Sequence, residues 1–326
     1  MASAGLAMGE PSAAAVTPGG QAASCRYPGA DPWRCRQIRE ATQRDSIAVL
    51  YPDGTEQGAI VYPAVLAGIE EQTQKPVVRM PVGATTDEWE VARQIEQKGI
   101  RKVIAVGRYG VRAANRLPEN VEVVVGGVLG GPEAIAGRRV HSLVPEPAML
   151  FELLKGLSPD FVRVFVVYDP ARNTGLIRAA RDAARSNGIE LIAQEAGDLK
   201  QALTFYQANL TRADSKRDAI WLLHDPVTAD EKTVLPFVLK EAWARNVVVF
   251  SSNAAHVRQG ALFSVMPDSR RIGQRLGVLV QAPGPASERI VLMREAVAIM
   301  NWRTANLLGI NWQSKKPLFD QLYPQQ

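Results

Sequence analysis

Between Ser158 and Glu190 the chain spells out one complete strand, polar crest and helix, SPDFVRVFVVYDPARNTGLIRAARDAARSNGIE. Val162 to Tyr168 is a β-branched and aromatic run of the length of a strand buried on both faces, and such strands belong to parallel sheets. The helix is expected from Thr174 to Asn187, with Gly188 as its stop. Between them YDPARN reads as a polar loop. Ligands of open α/β sheets occupy the crevice beyond the carboxyl ends of the strands, so topology alone puts Tyr168, Asp169, Arg172 and Asn173 at a mouth. The competing reading has Asp169 and Asn173 only turning the chain and capping the helix.

From Asp45 onward the same alternation of short β-branched runs and amphipathic stretches repeats, the pattern of an α/β chain with parallel sheets and crossover helices. Ser46 to Tyr51, Val77 to Met80, Lys102 to Val106 and Val121 to Val125 read as the strands of a first sheet. Their crests are Tyr51 to Thr55, with Asp53 and Gly54 at the centre, and Gly107-Arg108-Tyr109-Gly110. Gly126 to Gly131 reads as a glycine-rich turn. In the second half Ala219 to Leu223 ends in His224-Asp225, and Val247 to Phe250 ends in Ser251-Ser252-Asn253. Val291 to Met300 is expected to be one last strand, and the polar tail beyond Gly309 to lie on the surface.

A length of 326 residues favours two lobes over one core. No apolar run approaches the roughly 18 residues of a membrane span. The net charge of +5 is spread, and the pairs Arg138-Arg139, Arg270-Arg271 and Lys315-Lys316 read as solvated faces, so no nucleic-acid partner is expected. The three histidines and two cysteines form no metal-ligand spacing. The glycines at 126 to 131 lack a following Lys-Ser or Lys-Thr pair and miss the dinucleotide fingerprint, so no cofactor is expected. Ser251, His224 and Asp225 assemble into a hydrolytic set on paper, but no G-x-S-x-G elbow carries the serine. The same groups suit binding better. Asp225 would pair with a ligand amine, Arg108 or Arg172 would take a carboxylate, and Tyr51, Tyr109 and Tyr168 would form flat amphipathic walls or else pack sheet ends.

Cys25 and Cys35 either bridge or, since Ala22-Ala23-Ser24-Cys25 looks like the end of a lipoprotein signal, leave Cys25 to be acylated. Residues 1–24 carry no lysine or arginine, show no evident signal peptide and read as a disordered tail.

The stretches LLKGLSPDFVRVFVVYDPARN, AARDAARSNGIELI, DAIWLLHDPVT, NVVVFSSNAAHVRQGAL and NWRTANLLGI resemble, in this order, the substrate-binding proteins of ABC transporters, in the subfamily of tryptophan- and tyrosine-type uptake components. The resemblance implies two Rossmann-like lobes of the type I periplasmic-binding class around an interlobe cleft. It places residues 1–44 in a tail, 45–142 plus 267–284 in the N-terminal lobe, 143–266 plus 285–312 in the C-terminal lobe, and 313–326 in a surface tail. It also implies a non-catalytic, periplasmic or lipid-anchored monomer that hands a small polar or aromatic molecule to a membrane permease. Its ligand-facing loops fall on Tyr168, Asp169 and Asn173, on His224 and Asp225, on Ser252 and Asn253, and in the first lobe on Tyr51 to Thr55 and Gly107 to Tyr109. The chain departs from the family at Gly107-Arg108-Tyr109 and Gly126-Gly127, where a Thr-Pro-like and an Asp-Pro pair are usual. A sensory or scaffold protein with an altered pocket therefore stays open as the alternative.

Overall fold

The computed structural model describes residues 45–53, 61–129, 138–282 and 290–325. Cys25, Cys35, the 1–44 tail, Gly54, Thr55, Gly130, Gly131 and Pro285 lie outside the described residues.

The expected α/β architecture of two lobes with mostly parallel sheets is present. Strands β1 (Ile47–Pro52), β2 (Val77–Val82), β3 (Lys102–Val106), β4 (Glu122–Val128), β5 (Arg139–Pro145) and β11 (Ile290–Met293) form one sheet in the order β11-β5-β4-β3-β1-β2. A second sheet runs β13-β12-β10-β9-β8-β6-β7. It is built from β6 (Arg163–Tyr168), β7 (Glu190–Glu195), β8 (Asp218–Leu222), β9 (Val248–Ser251), β10 (Phe263–Pro267), β12 (Ala296–Asn301) and β13 (Gln321–Tyr323). Among the described strands, only the pair β10 and β12 is antiparallel.

Period-two alternation inside the β-branched runs explains how each sheet is covered on both faces. Ile47, Val49, Ile104 and Val124 face helices α1 (Tyr62–Thr73) and α9 (Ser269–Gln281). Ala48, Leu50, Val103, Ala105 and Val123 face α2 (Glu88–Gln97) and α3 (Gly107–Ala114). In the second lobe Val164, Val166, Trp221 and Phe250 meet α4 (Pro147–Leu157) and α5 (Pro170–Ser186), while Phe165, Ile220, Leu222 and Val249 meet α6 (Leu199–Leu210) and α7 (Val234–Ala244). Trp221, Phe250 and Phe263 stack on neighbouring strands with centroids 6.3 and 5.0 Å apart, and the Phe151 ring meets Trp221 edge-on at 5.5 Å.

Helices α1 and α9 pack backbone to backbone. A Cβ on Gly68 would overlap the Arg270 carbonyl, and one on Gly273 would overlap the Val65 carbonyl, so only glycine admits this approach. Short elements α8 (Ala255–Gln259), α10 (Trp302–Leu307) and α11 (Trp312–Lys315) complete the described helices.

Several expectations need correction. Gly126 and Gly127 lie within β4 rather than in a turn, because Leu276 of α9 fills the space a Cβ at 126 would need and the strand bulges at Gly127, φ +70°. The 291–300 run is two strands, since Arg294 and Glu295 interrupt it. Its first half pairs with β5, so the third passage between sheets falls there and not at Pro285. The 313–326 segment is not all surface tail: β13 pairs with β12 and Phe319 is buried. The basic pairs hold structure: Arg138 and Arg139 donate to carbonyls, Arg270 pairs with Glu71, Arg271 with Asp268, and Lys315 donates to the Gly156 carbonyl.

Candidate functional site

Both sheets follow the strand order 2-1-3-4-5, counting from the first strand of each lobe. In such sheets the chain leaves in opposite directions from the first and third strands, which opens a crevice at their carboxyl ends. These switch points lie between β1 and β3 and between β6 and β8. The crests there carry most of the sequence-predicted site.

In the second lobe the YDPARN segment is not a loop. Asp169 is the N-cap of α5, accepting from the Ala171 N–H at 2.9 Å, and Pro170 begins the helix where its missing N–H costs nothing. Arg172 and Asn173 therefore sit in the first helical turn. Arg172 is exposed, its Nε 3.4 Å from Asp169 Oδ2.

Asp225, expected to meet a ligand amine, is instead turned inward and only 2% exposed. Its Oδ1 accepts from the Val227 N–H at 2.8 Å and the Thr228 N–H at 3.1 Å. Its Oδ2 accepts from the Asp169 N–H at 2.9 Å and Asn173 Nδ2 at 2.8 Å. Four donors saturate a carboxylate. Asp225 thus staples the β8 crest to the β6 crest and fixes the shape of the mouth without facing it. His224, the residue before it, is exposed.

Tyr168 is likewise no pocket wall. It is buried, with its hydroxyl donating to Glu195 Oε1 at 2.9 Å, and burial followed by that carboxylate pushes its phenol pKa up. Ser252 is buried and its Oγ accepts from Trp221 Nε1 at 2.9 Å, while Asn253 Oδ1 accepts from the Ala255 N–H at 3.0 Å in the turn ahead of α8. Ser251 does not meet His224. It lies 2.8 Å from His256 Nδ1, is wholly buried and accepts from the Asn253 N–H, a brace for the β9 crest. Burial, then the His224 charge, lowers the His256 pKa to about 4, so this imidazole is neutral at pH 7.

In the first lobe Asp53 is exposed and its carboxylate rests on Gly83, where any Cβ would collide with it. Tyr51 is half-buried against the α1 side of the sheet. Gly107, at φ +68°, opens α3, whose start carries no side-chain cap. Arg108 is exposed and its guanidinium lies 4.7 Å over the Tyr109 ring, which also receives Arg112 at 5.4 Å and packs against the α2 side.

One residue escaped the sequence reading. Tyr62, at the start of α1, brings its hydroxyl to within 3.4 Å of where a Gly107 Cβ would sit. The only local signal is an aromatic at the head of the helix that follows the first crest. The sequence-predicted site residues left exposed at the two switch points are thus Asp53, Arg108, Arg172 and His224. An open hollow between Arg163, Glu190, Asp214 and Arg217 lies at the opposite, amino end of the second sheet, and its Arg163 is already paired with Asp218. Among the described residues no group of His, Cys, Asp and Glu gathers as a metal site, and no helix is long and apolar enough to cross a membrane.

The fold is shared with a ligand-free, open substrate binding protein with adhesive properties from Clostridium difficile, 16% identical with a TM-score of 0.57 over 82% of this chain and 95% of that one. Looser superpositions relate it to an ABC domain in complex with L-Trp from Streptococcus pneumoniae (18% identity, TM-score 0.49, 86% and 99% covered) and a conserved domain protein from Vibrio cholerae (17%, 0.47, 86% and 99%). No curated protein matches the chain. Residues 148–316 match the model of the ABC transporter substrate binding protein family, half of the chain with the β6, β8 and β9 crests inside it, and the chain belongs to that family.

Proposed function

We propose that the protein is an extracytoplasmic solute receptor that encloses a small polar or aromatic molecule between its lobes and presents it to an ABC permease, without catalysis. The observation that carries this reading is the pair of switch points, one per lobe, each rimmed by exposed polar side chains. Asp53, Arg108 and Tyr62 on one side and Arg172, His224 and Asn253 on the other are the proposed contacts. Asp169, Asn173, Asp225 and Ser252 hold the second rim in shape, and Tyr51 backs the first. Ser251 and His256, the described Ser–His pair, are both buried as a brace, which supports a binding role over acyl transfer.

The test is a thermal-shift screen of amino acids and small carboxylates on the purified protein. A ligand that binds only the folded state raises Tm, by an amount worth about 2.7 kcal/mol at one hundred times Kd. Loss of the shift in Arg172→Ala and His224→Ala would locate it. The packing of Arg108 on Tyr109 favours a second reading, a sensor or scaffold with an altered pocket. No stabilising compound across broad libraries, with a membrane receptor captured by the full chain, would establish that reading instead.

A further inference from the structure

Three segments pass between the sheets: β5 into α4 around Glu146, β10 into α9 around Asp268, and β11 into β12 at Arg294-Glu295. The first two are both tied to the third. The Glu146 N–H donates to the Met293 carbonyl at 2.9 Å, and its carboxylate meets Arg294 Nε at 3.1 Å. The Asp268 N–H donates to the Glu295 carbonyl at 2.9 Å.

Glu295 makes a side-chain contact that reaches into a sheet. Its Oε2 lies 2.7 Å from Nε2 of His141, a residue of β5 with no exposed surface, and accepts from the Arg294 N–H at 3.2 Å. Its Oε1 faces Arg275 of α9 at 3.9 Å. The charged groups around the pair are Arg294 on the passage itself, Glu146 on the first passage, and Asp268, Arg271 and Arg275 at the second. β4, on the other side of β5, pairs through uncharged Val125 and Val128, and β11 sets Val291 beside His141. Among the described residues the buried Nδ1 of His141 has no hydrogen-bond partner, and the imidazole is anchored through Glu295.

We propose that Glu295 is the latch of the interlobe hinge, pinning the third passage to β5 through His141, so that rotation of one lobe against the other is governed by making or breaking this contact. The proposal rests on the two-lobed solute-receptor reading but concerns the empty protein, so it is tested without a ligand.

Spin labels at Glu96→Cys on α2 and Arg178→Cys on α5, in a background carrying Cys25→Ser and Cys35→Ser, report the interlobe distance. The latched protein gives one narrow distribution. Losing a hydrogen bond to a charged group shifts a two-state equilibrium about tenfold, so Glu295→Gln is expected to raise a second distance population by that factor. Lys240→Gln, at an exposed position of α7 away from all three passages, leaves the distribution unchanged. A distribution unchanged in both Glu295→Gln and Glu295→Ala overturns the latch even if a solute is found. A wild-type distribution that is already broad overturns it without any variant. A latch that behaves as stated while no solute binds would leave the hinge standing and remove the transport reading.

Discussion

Asp225→Ala is expected to destabilise the protein by about 3 kcal/mol, although the residue is polar and sits beside the proposed ligand mouth. Its bonds from the Val227 and Thr228 N–H groups brace the turn after β8, worth about 1 kcal/mol. The bonds from the Asp169 N–H and from Asn173 Nδ2 reach across to another crest, and removing a charged acceptor from such donors costs about 1.5–3 kcal/mol. Asp225→Asn keeps the shape but must turn an NH2 group toward one of the two donor pairs, so it recovers less than half of the loss. Urea denaturation followed by tryptophan fluorescence reads the change as a lower midpoint at constant slope. In a heating scan it corresponds to a Tm drop of roughly 6–12 °C. A double-mutant cycle with Asn173→Ala isolates the bridge, with an expected coupling of about 1 kcal/mol or more. An alanine variant within about 0.5 kcal/mol of wild type, or zero coupling to Asn173, would refute the staple.

Other consequences can be measured directly. Gly273→Ala forces α9 away from the Val65 carbonyl and should cost about 1–3 kcal/mol or more, seen as a lowered urea midpoint. His256 titrates near 4 when folded and near its ordinary 6.5 when unfolded, so the unfolded chain binds the extra proton. That contribution to stability is complete above about pH 6.5 and is lost as the pH falls toward 4, and in His256→Asn this slope should flatten. At Glu295 burial opposes ionisation, but the His141 contact and two backbone N–H groups outweigh it and hold the carboxyl below its ordinary 4.5. The stability difference between wild type and Glu295→Gln should therefore be full at neutral pH and close as the pH falls through the folded value, as acid titration of the unfolding midpoint would show.

The strands were legible because a parallel strand covered on both faces leaves a dense β-branched run, as in Val162–Tyr168 and Lys102–Val106. Two helix starts were not, at the β6 and β3 crests. Asp169-Pro170 and Gly107 have the chemistry of a turn, and the same residue types open helices, so the crests read as loops when they are first turns. The division of Val291 to Met300 into two strands had a visible signal in Arg294-Glu295, a charged pair inside an apolar run. Topology identified which strand ends meet at the switch points, but chemistry at each position depended on tertiary neighbours. Asp225 looks ligand-facing until the β6 crest is beside it, and Tyr168 looks like a wall until Glu195 of β7 takes its hydroxyl.

The glycine-mediated contact between α1 and α9 has a consequence for synthesis. The partner that covers α1 is made some two hundred residues after it, beyond the whole run of β6 to β10. On the ribosome the second lobe's central strands and their helices emerge while the first lobe still lacks α9 and its edge strand β11. The chain's beginning therefore waits, with the Gly68 face of α1 uncovered, for its end to arrive. A nascent chain stalled shortly after β10 should show protease resistance in the later-made lobe before the earlier-made one, an inversion of the usual amino-terminal-first order.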